Sequence, residues 1–153
     1  MPDNALVGRC GMYCGSCPIY RASHDKDEKK TFELSFSTRC TIDMIKCEGC
    51  GTSDRFALSK GCIFRKCANG RSLSSCGLCQ EFPCDTLPGL YEDDMRSRGD
   101  AEKNARRIRE AGIEKWLEEA EARWSCGRCR GKIALDMKIC PGCEEALHSL
   151  PEK

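Results

Sequence analysis

From Asp100 to Trp124, the apolar residues Ala101, Ala105, Ile108, Ile113, Trp116, Leu117, Ala120 and Trp124 recur at spacings mostly of three and four. That period puts them on one face of a helix. Asp100 is its expected N-cap, and Gly112 is expected to bend it or split it in two. Trp116 and Trp124 are expected to pack it onto the rest of the chain, while Glu114, Lys115, Glu118 and Arg123 read as solvent-face charges. Further on, Lys132 to Ile139 (KIALDMKI) alternates apolar and polar positions, which predicts a small hairpin. Between Ile19 and Leu90 no repeating strand and helix alternation is visible, and the polar run His24 to Lys30 (HDKDEKK) reads as a solvated turn or helix end. The pattern predicts three segments: a body over 1–90, a helical segment packing on it over 91–124, and a turn-rich unit over 125–153. The expected fold class is a small irregular α+β protein stabilised by metal.

Composition explains why metal enters this early. The 153 residues include fifteen cysteines but only five Phe, three Tyr and two Trp. So thin a core leaves chain entropy uncovered across the body, and metal binding would supply the missing folding free energy. The start, MPDNALVGRC, has neither a basic nor an apolar stretch of the kind that directs export, and no run approaches the about 18 apolar residues of a membrane span. A cytoplasmic location with reduced thiols is therefore expected, and closely spaced cysteines then favour metal sites over disulfides. Their odd number agrees. A net charge of +1 gives no global footprint for nucleic acid or an anionic membrane.

The clearest motif is Cys126-Gly-Arg-Cys129, ten residues, then Cys140-Pro-Gly-Cys143. Two C-x2-C turns each present two thiolates, and a short hairpin would bring four sulfurs to the tetrahedral geometry of Zn2+, as in a zinc ribbon. Gly127 and Gly142 are expected to serve positive φ in the knuckles. With all four positions filled by protein, an open catalytic site is not expected there. Cys47-Glu-Gly-Cys50 is a similar pair, and Cys14 and Cys17 are its nearest candidate partners. Cys67, Cys76, Cys79 and Cys84 suffice for a third site. Cys10 and Cys62 are left over: they can join one another, replace a ligand elsewhere, or help hold an iron–sulfur cluster.

The strings Cys10-Gly-Met-Tyr-Cys14-Gly-Ser-Cys17-Pro-Ile-Tyr20, Lys46-Cys47-Glu-Gly-Cys50, Cys62-Ile-Phe-Arg-Lys-Cys67-Ala68 and Cys76-Gly-Leu-Cys79-Gln-Glu-Phe-Pro-Cys84 resemble domain-of-unknown-function family 3795. The likeness continues through Gly112 to Leu117 and the Trp124 to Cys143 ribbon. It implies a small prokaryotic zinc-binding protein of a family without established activity. Cys40 lies outside the pattern and is expected to be a free thiol.

Sharper readings compete with this one. Cys10, Cys14 and Cys17 have the C-x3-C-x2-C spacing of radical S-adenosylmethionine enzymes, but the partial barrel those enzymes need is not visible. Cys17-Pro18 resembles a ferredoxin step, and thiol spacing alone does not separate iron from zinc. Cys76-Gly-Leu-Cys79 as a redox dithiol would need a depressed thiol pKa at a helix start. The basic residues Arg106, Arg107, Arg109, Arg123, Arg128, Arg130, Lys132 and Lys138 are expected to balance nearby glutamates rather than bind nucleic acid. His24 and His148 are expected at the surface, and no catalytic constellation stands out.

The expected function is a cytoplasmic zinc-binding structural or adaptor module, with two to three Zn2+ ions held among Cys10, Cys14, Cys17, Cys47, Cys50, Cys62, Cys67, Cys76, Cys79, Cys84, Cys126, Cys129, Cys140 and Cys143. Its expected partner is a protein, with nucleic acid weaker and a membrane not expected. The alternative is an iron–sulfur electron-transfer or redox-sensing protein with its cluster in residues 1–90. The reading leans against an enzyme.

Overall fold

A computed structural model describes residues 4–85, 96 and 99–147. The described residues are mostly helical. Helices α1 (Pro18–His24) and α2 (Glu28–Thr38) are followed by α3 (Ile63–Gly70), α4 (Ala101–Ala111) and α5 (Ile113–Arg123), with short 3-10 turns at Asn4–Leu6, Cys14–Ser16, Ile42–Met44, Ala57–Ser59 and Cys76–Leu78. No extended strand forms among the described residues. Pairing is confined to isolated antiparallel bridges at Val7 with Tyr13, Ser125 with Lys132, and Ile139 with Ala146. The strand component of the expected α+β class is thus reduced to single bridges.

Local chemistry sets the helix ends. Pro18 opens α1, where its fixed φ is pre-organised and its missing N–H is not needed. The polar run that follows is the turn between two helices: Asp27 caps α2 by accepting from the Lys30 N–H at 3.0 Å, and α2 ends at left-handed Arg39. The long apolar period from Asp100 to Trp124 becomes two helices. Gly112, at φ +84°, ψ 164°, breaks it. The halves fold back antiparallel, joined by a bidentate Arg107–Glu119 pair (2.6 and 2.9 Å) and by Arg123 with Asp100 at 2.6 Å. Asp100 stands at the N-cap as expected but makes no side-chain cap bond; its carboxylate goes to Arg123 instead. Arg123 is therefore no solvent-face charge: it pairs with Asp100 and lies over the Trp124 ring, 5.4 Å from the centroid.

The apolar face of α4 and α5 buries Ile108, Trp116, Leu117 and Ala120, and Trp116 and Trp124 are 1% and 2% exposed. They pack with Val7 and Tyr13 of the body and with Cys126, Ile133 and Cys140 of the C-terminal turns. Tyr13 meets Trp116 edge-on, 84° between ring planes. All three segments of the chain contribute to this one cluster. The body loops lie close against α4, because a Cβ on Gly11 or Gly77 would come within 2.1 or 2.2 Å of the Ala101 or Ala105 carbonyl oxygen. Only glycine permits that approach.

The segment expected to form a hairpin does something else. Ile133 and Ala134 are buried, the Leu135 N–H donates to the Ser16 carbonyl at 2.9 Å, and the Met137 N–H turns back to Ala134 O at 3.1 Å. Asp136 pairs with Lys30 of α2. The alternation served docking onto the body rather than strand pairing.

Candidate metal centre

Two matching turns build the C-terminal site. In the first, the Cys126 N–H donates to Gly131 O (2.8 Å) and the Arg130 N–H to Cys126 O (2.9 Å); in the second, Cys140 N–H reaches Glu145 O and Glu144 N–H reaches Cys140 O, both at 2.9 Å. Each turn is closed by its own bridge, Ser125 with Lys132 and Ile139 with Ala146. The positive φ of each knuckle falls on Arg130 and Glu144, the residue after its second cysteine, and not on Gly127 or Gly142. Gly142 serves space instead: a Cβ there would sit 2.9 Å from the Cys129 sulfur.

The sulfurs of Cys126, Cys129, Cys140 and Cys143 all lie within 4.8 Å of one another. Cys126 Sγ is 3.7 Å from Cys143 Sγ, and Cys129 Sγ is 3.5 Å from Cys140 Sγ. A tetrahedron with the usual zinc–sulfur bond has edges of about 3.8 Å, so these are the distances of ligands around a single ion. Backbone N–H groups of Arg128, Gly131 and Gly142 point at Cys126, Cys129 and Cys140 sulfurs, each at 3.4 Å. Such donors favour the thiolate: the Cys129 and Arg128 N–H groups bring Cys126 down to about 6. Cys140 is fully buried and Cys129 is exposed, so the quartet has one side in the core and one at the surface. The chemistry is that of a closed tetrathiolate metal site.

The other cysteines are arranged differently. None of the fifteen is in a disulfide. Among the described residues no other set of three or more Cys, His, Asp or Glu ligand atoms is drawn as close as the C-terminal four. Cys14, Cys17, Cys47 and Cys50, with Cys10 and Cys62, instead line one cavity of about 650 Å3. The Cys50 N–H donates to the Cys14 sulfur at 3.3 Å, and Cys17 feels Cys47 and Cys50. Burial pushes Cys10 and Cys17 up to about 11, whereas Cys50 is brought down to about 7 by the Cys14 thiol, with Arg65, Arg9 and Arg55 adding to the effect. Arg9, Arg55, Arg65 and Arg96 line the same cavity. These arginines were missed in the sequence, where basic residues drew notice only between 106 and 138. The available signal was their place within the cysteine strings: Arg9 precedes Cys10, and Arg65 lies between Cys62 and Cys67.

Cys67, Cys76, Cys79 and Cys84 gather around Cys76, whose thiol is pushed up to about 12 by burial, with Cys10, Cys67, Cys84 and Cys79 as neighbouring charges. That shift is opposite to the one a redox dithiol needs. Arg71 reaches the Cys79 sulfur at 3.8 Å. Cys40 lies off the cavity, half-buried beside Ile19, Ile45 and Cys47. His24 stacks on Tyr20 and contacts Glu48 at 3.2 Å, while His148 lies outside the described residues. Four of the basic residues expected to balance glutamates do so: Arg106 with Glu102, Arg107 with Glu119 and Glu110, Arg128 with Glu145, and Lys132 with Glu121. Arg109 instead donates to the Cys79 carbonyl at 2.7 Å, and Arg123 pairs with Asp100. Among the described residues no helix is long and apolar enough to cross a membrane.

Fold and site together define a mostly helical, cysteine-rich protein with a thiolate cluster able to hold a metal ion. The chain belongs to DUF3795, a family of proteins of unknown function, whose profile matches residues 6–89. The match takes in the body with its first eleven cysteines and ends before α4, α5 and the C-terminal quartet. Comparison with curated proteins and with solved structures finds no match.

Proposed function

We propose that the protein is a zinc-stabilised adaptor: the C-terminal quartet takes one structural Zn2+, a zinc ribbon in its ligand set, and the body presents a surface to a partner protein. The observation that carries the metal reading is the single-ion spacing of four sulfurs, one of which, Cys140, is 0% exposed under Trp124. A metal there ties the two turns to the helical pair. The surface is suggested by Phe32 and Phe36 on α2, 56% and 79% exposed with ring centroids 6.3 Å apart, beside exposed Ile42 and Met44 of the next turn. A contiguous exposed apolar patch, unlike scattered single side chains, marks an interaction site. Nucleic acid is the weaker partner, because Arg106, Arg107 and Lys132 are matched by glutamates and Arg123 by Asp100.

The test has two arms. Zinc analysis of the full chain should give metal that is lost in Cys140→Ser. Tagged full chain and a Phe32→Ser/Phe36→Ser variant of equal metal content are then used to capture protein from extracts of the source cell. A species held by the parent and lost from the variant is expected, and identical capture by both would contradict the adaptor reading.

A further inference from the structure

The cavity of the body has features that one zinc ion does not account for. Its volume of about 650 Å3 is that of an ordinary ligand pocket (about 300–1,000 Å3), far more than a single ion fills. It draws its walls from the Cys10–Tyr20 segment, the end of α2, the Cys47–Cys50 knuckle, the stretch from Arg55 to Cys62 and Arg65 of α3. Thiols are concentrated on it, yet no three sulfurs close to the spacing of the C-terminal quartet. In a four-iron, four-sulfide cluster each thiolate binds its own iron, so the four ligand sulfurs stand farther apart than around one ion, with inorganic sulfide filling the space between.

Charge points the same way. Arg65 is clamped on the knuckle, its Nη1 donating to Cys50 O and its Nη2 to Thr52 O at 2.7 Å. Its positive charge is disfavoured by burial and by Arg55 and Arg9 close by, and favoured by Cys50 and Cys62. Arg55 holds Nε and Nη1 buried with no hydrogen-bond acceptor. A buried donor left unpaired costs about 1–3 kcal/mol, so the Arg55 guanidinium on a thiol-lined cavity calls for an anionic group rich in acceptors, while Arg9 and Arg65, paired to Asn69, Ser74, Cys50 and Thr52, add positive charge close by. Thiolates and sulfides around iron are such a group, because the cations stabilise the sulfur while the metal keeps the buried thiols ionised.

We infer that the cavity holds a four-iron, four-sulfide cluster ligated by Cys14, Cys17, Cys47 and Cys50, with the unpaired donors of Arg55 for its sulfur atoms and Arg9 and Arg65 as further cations of the cavity wall. These four cysteines are chosen on contact: the Cys50 N–H donates to the Cys14 sulfur at 3.3 Å and Cys17 packs with Cys47, whereas Cys10 and Cys62 pack with Cys76, Cys79 and Cys84. Cys10 and Cys62 converge instead on Arg96, which donates to the Cys62 sulfur at 3.4 Å. The inference is independent of the zinc at Cys126–Cys143 and of the adaptor reading.

The experiment is anaerobic incubation of the full chain with ferric iron, sulfide and dithiothreitol, the dithiol giving two electrons per cluster so that two of the four irons become ferrous as it closes to its disulfide, followed by desalting, visible spectroscopy and metal analysis. A broad brown absorption that bleaches with dithionite is expected, with about four iron atoms and four sulfides retained per chain. Cys47→Ser should lose at least about tenfold of that absorption, and Cys40→Ser, outside the cavity, should keep it. Because Cys47→Ser can fail to fold, Arg55→Leu serves as the second variant: it should form the cluster with a more negative reduction midpoint, since a cation near the sulfur is lost. A colourless protein that retains zinc but no iron would overturn the inference, as would undiminished colour in Cys47→Ser. An unmoved midpoint in Arg55→Leu would remove the arginines from it. Zinc measured in the same samples reports on the C-terminal site separately.

Discussion

At the C-terminal end, two matching turns bring four thiols together until their sulfurs lie within 4.8 Å of one another. In the body, six thiols face a cavity of about 650 Å3 and no three of them come so close. Both regions use C-x2-C pairs, so pair spacing does not set the difference. The C-terminal turns close on each other with Gly142 against the Cys129 sulfur, and side chains from α4 and α5 fill the space behind them. The body thiols come from the Cys10–Cys17 stretch, the Cys47–Cys50 knuckle and Cys62, and they share the cavity wall with Arg9, Arg55, Arg65 and Arg96. What surrounds a thiol pair therefore decides whether it closes on one ion or borders a larger space.

The largest expected effect is at the C-terminal site. Cys140→Ser should release its zinc and undo the packing of Trp116 and Trp124, since structural zinc contributes apparent binding energies of about 10–16 kcal/mol in small domains. Zinc content and near-ultraviolet circular dichroism would record both losses, whereas Cys47→Ser, if the two regions are independent, should keep the C-terminal zinc. Next comes the shared core. Trp116→Ala should cost about 3–5 kcal/mol in denaturant unfolding, because the ring is buried where all three segments meet.

A smaller effect is expected where the body loops lie on α4. Gly77→Ala places a Cβ 2.2 Å from the Ala105 carbonyl oxygen and should cost about 1–3 kcal/mol, read from thermal denaturation. Gly61→Ala, with nothing within 4 Å, is the matched control and should leave the melting temperature nearly unchanged. Asp100→Asn keeps the shape of a residue at φ +52° but removes the carboxylate paired to Arg123, so a loss of about 1 kcal/mol that shrinks with added salt is expected. At the bottom of the scale, Cys40→Ser should leave metal content unchanged. Equal metal loss at Cys40 and Cys126 would erase the distinction between a free thiol and a ligand.

The parts legible in the sequence are those whose signal is local. The helical period from Asp100 to Trp124, its break at Gly112, the burial of Trp116 and Trp124 and the four-cysteine set at 126–143 all follow from spacing along a single segment. The hairpin between the last two cysteine pairs did not form, because Leu135 found the Ser16 carbonyl and Asp136 found Lys30, partners about a hundred residues away. Asp100 is similar: its position as a cap could be read, but its pairing with Arg123 depends on how two helices fold back. The cavity was not legible at all. Arg9, Arg55 and Arg65 are scattered singly through the body, and only the tertiary fold places them together beside Cys50.

The most direct test of the contrast between the two regions is zinc, iron and acid-labile sulfide content of the full chain isolated without exposure to air. Zinc together with about four iron atoms and four sulfides per chain is the predicted result, one ion in the closed quartet and a cluster in the open cavity. Two or more zinc ions per chain with neither iron nor sulfide would contradict it and would mean that both regions hold single ions.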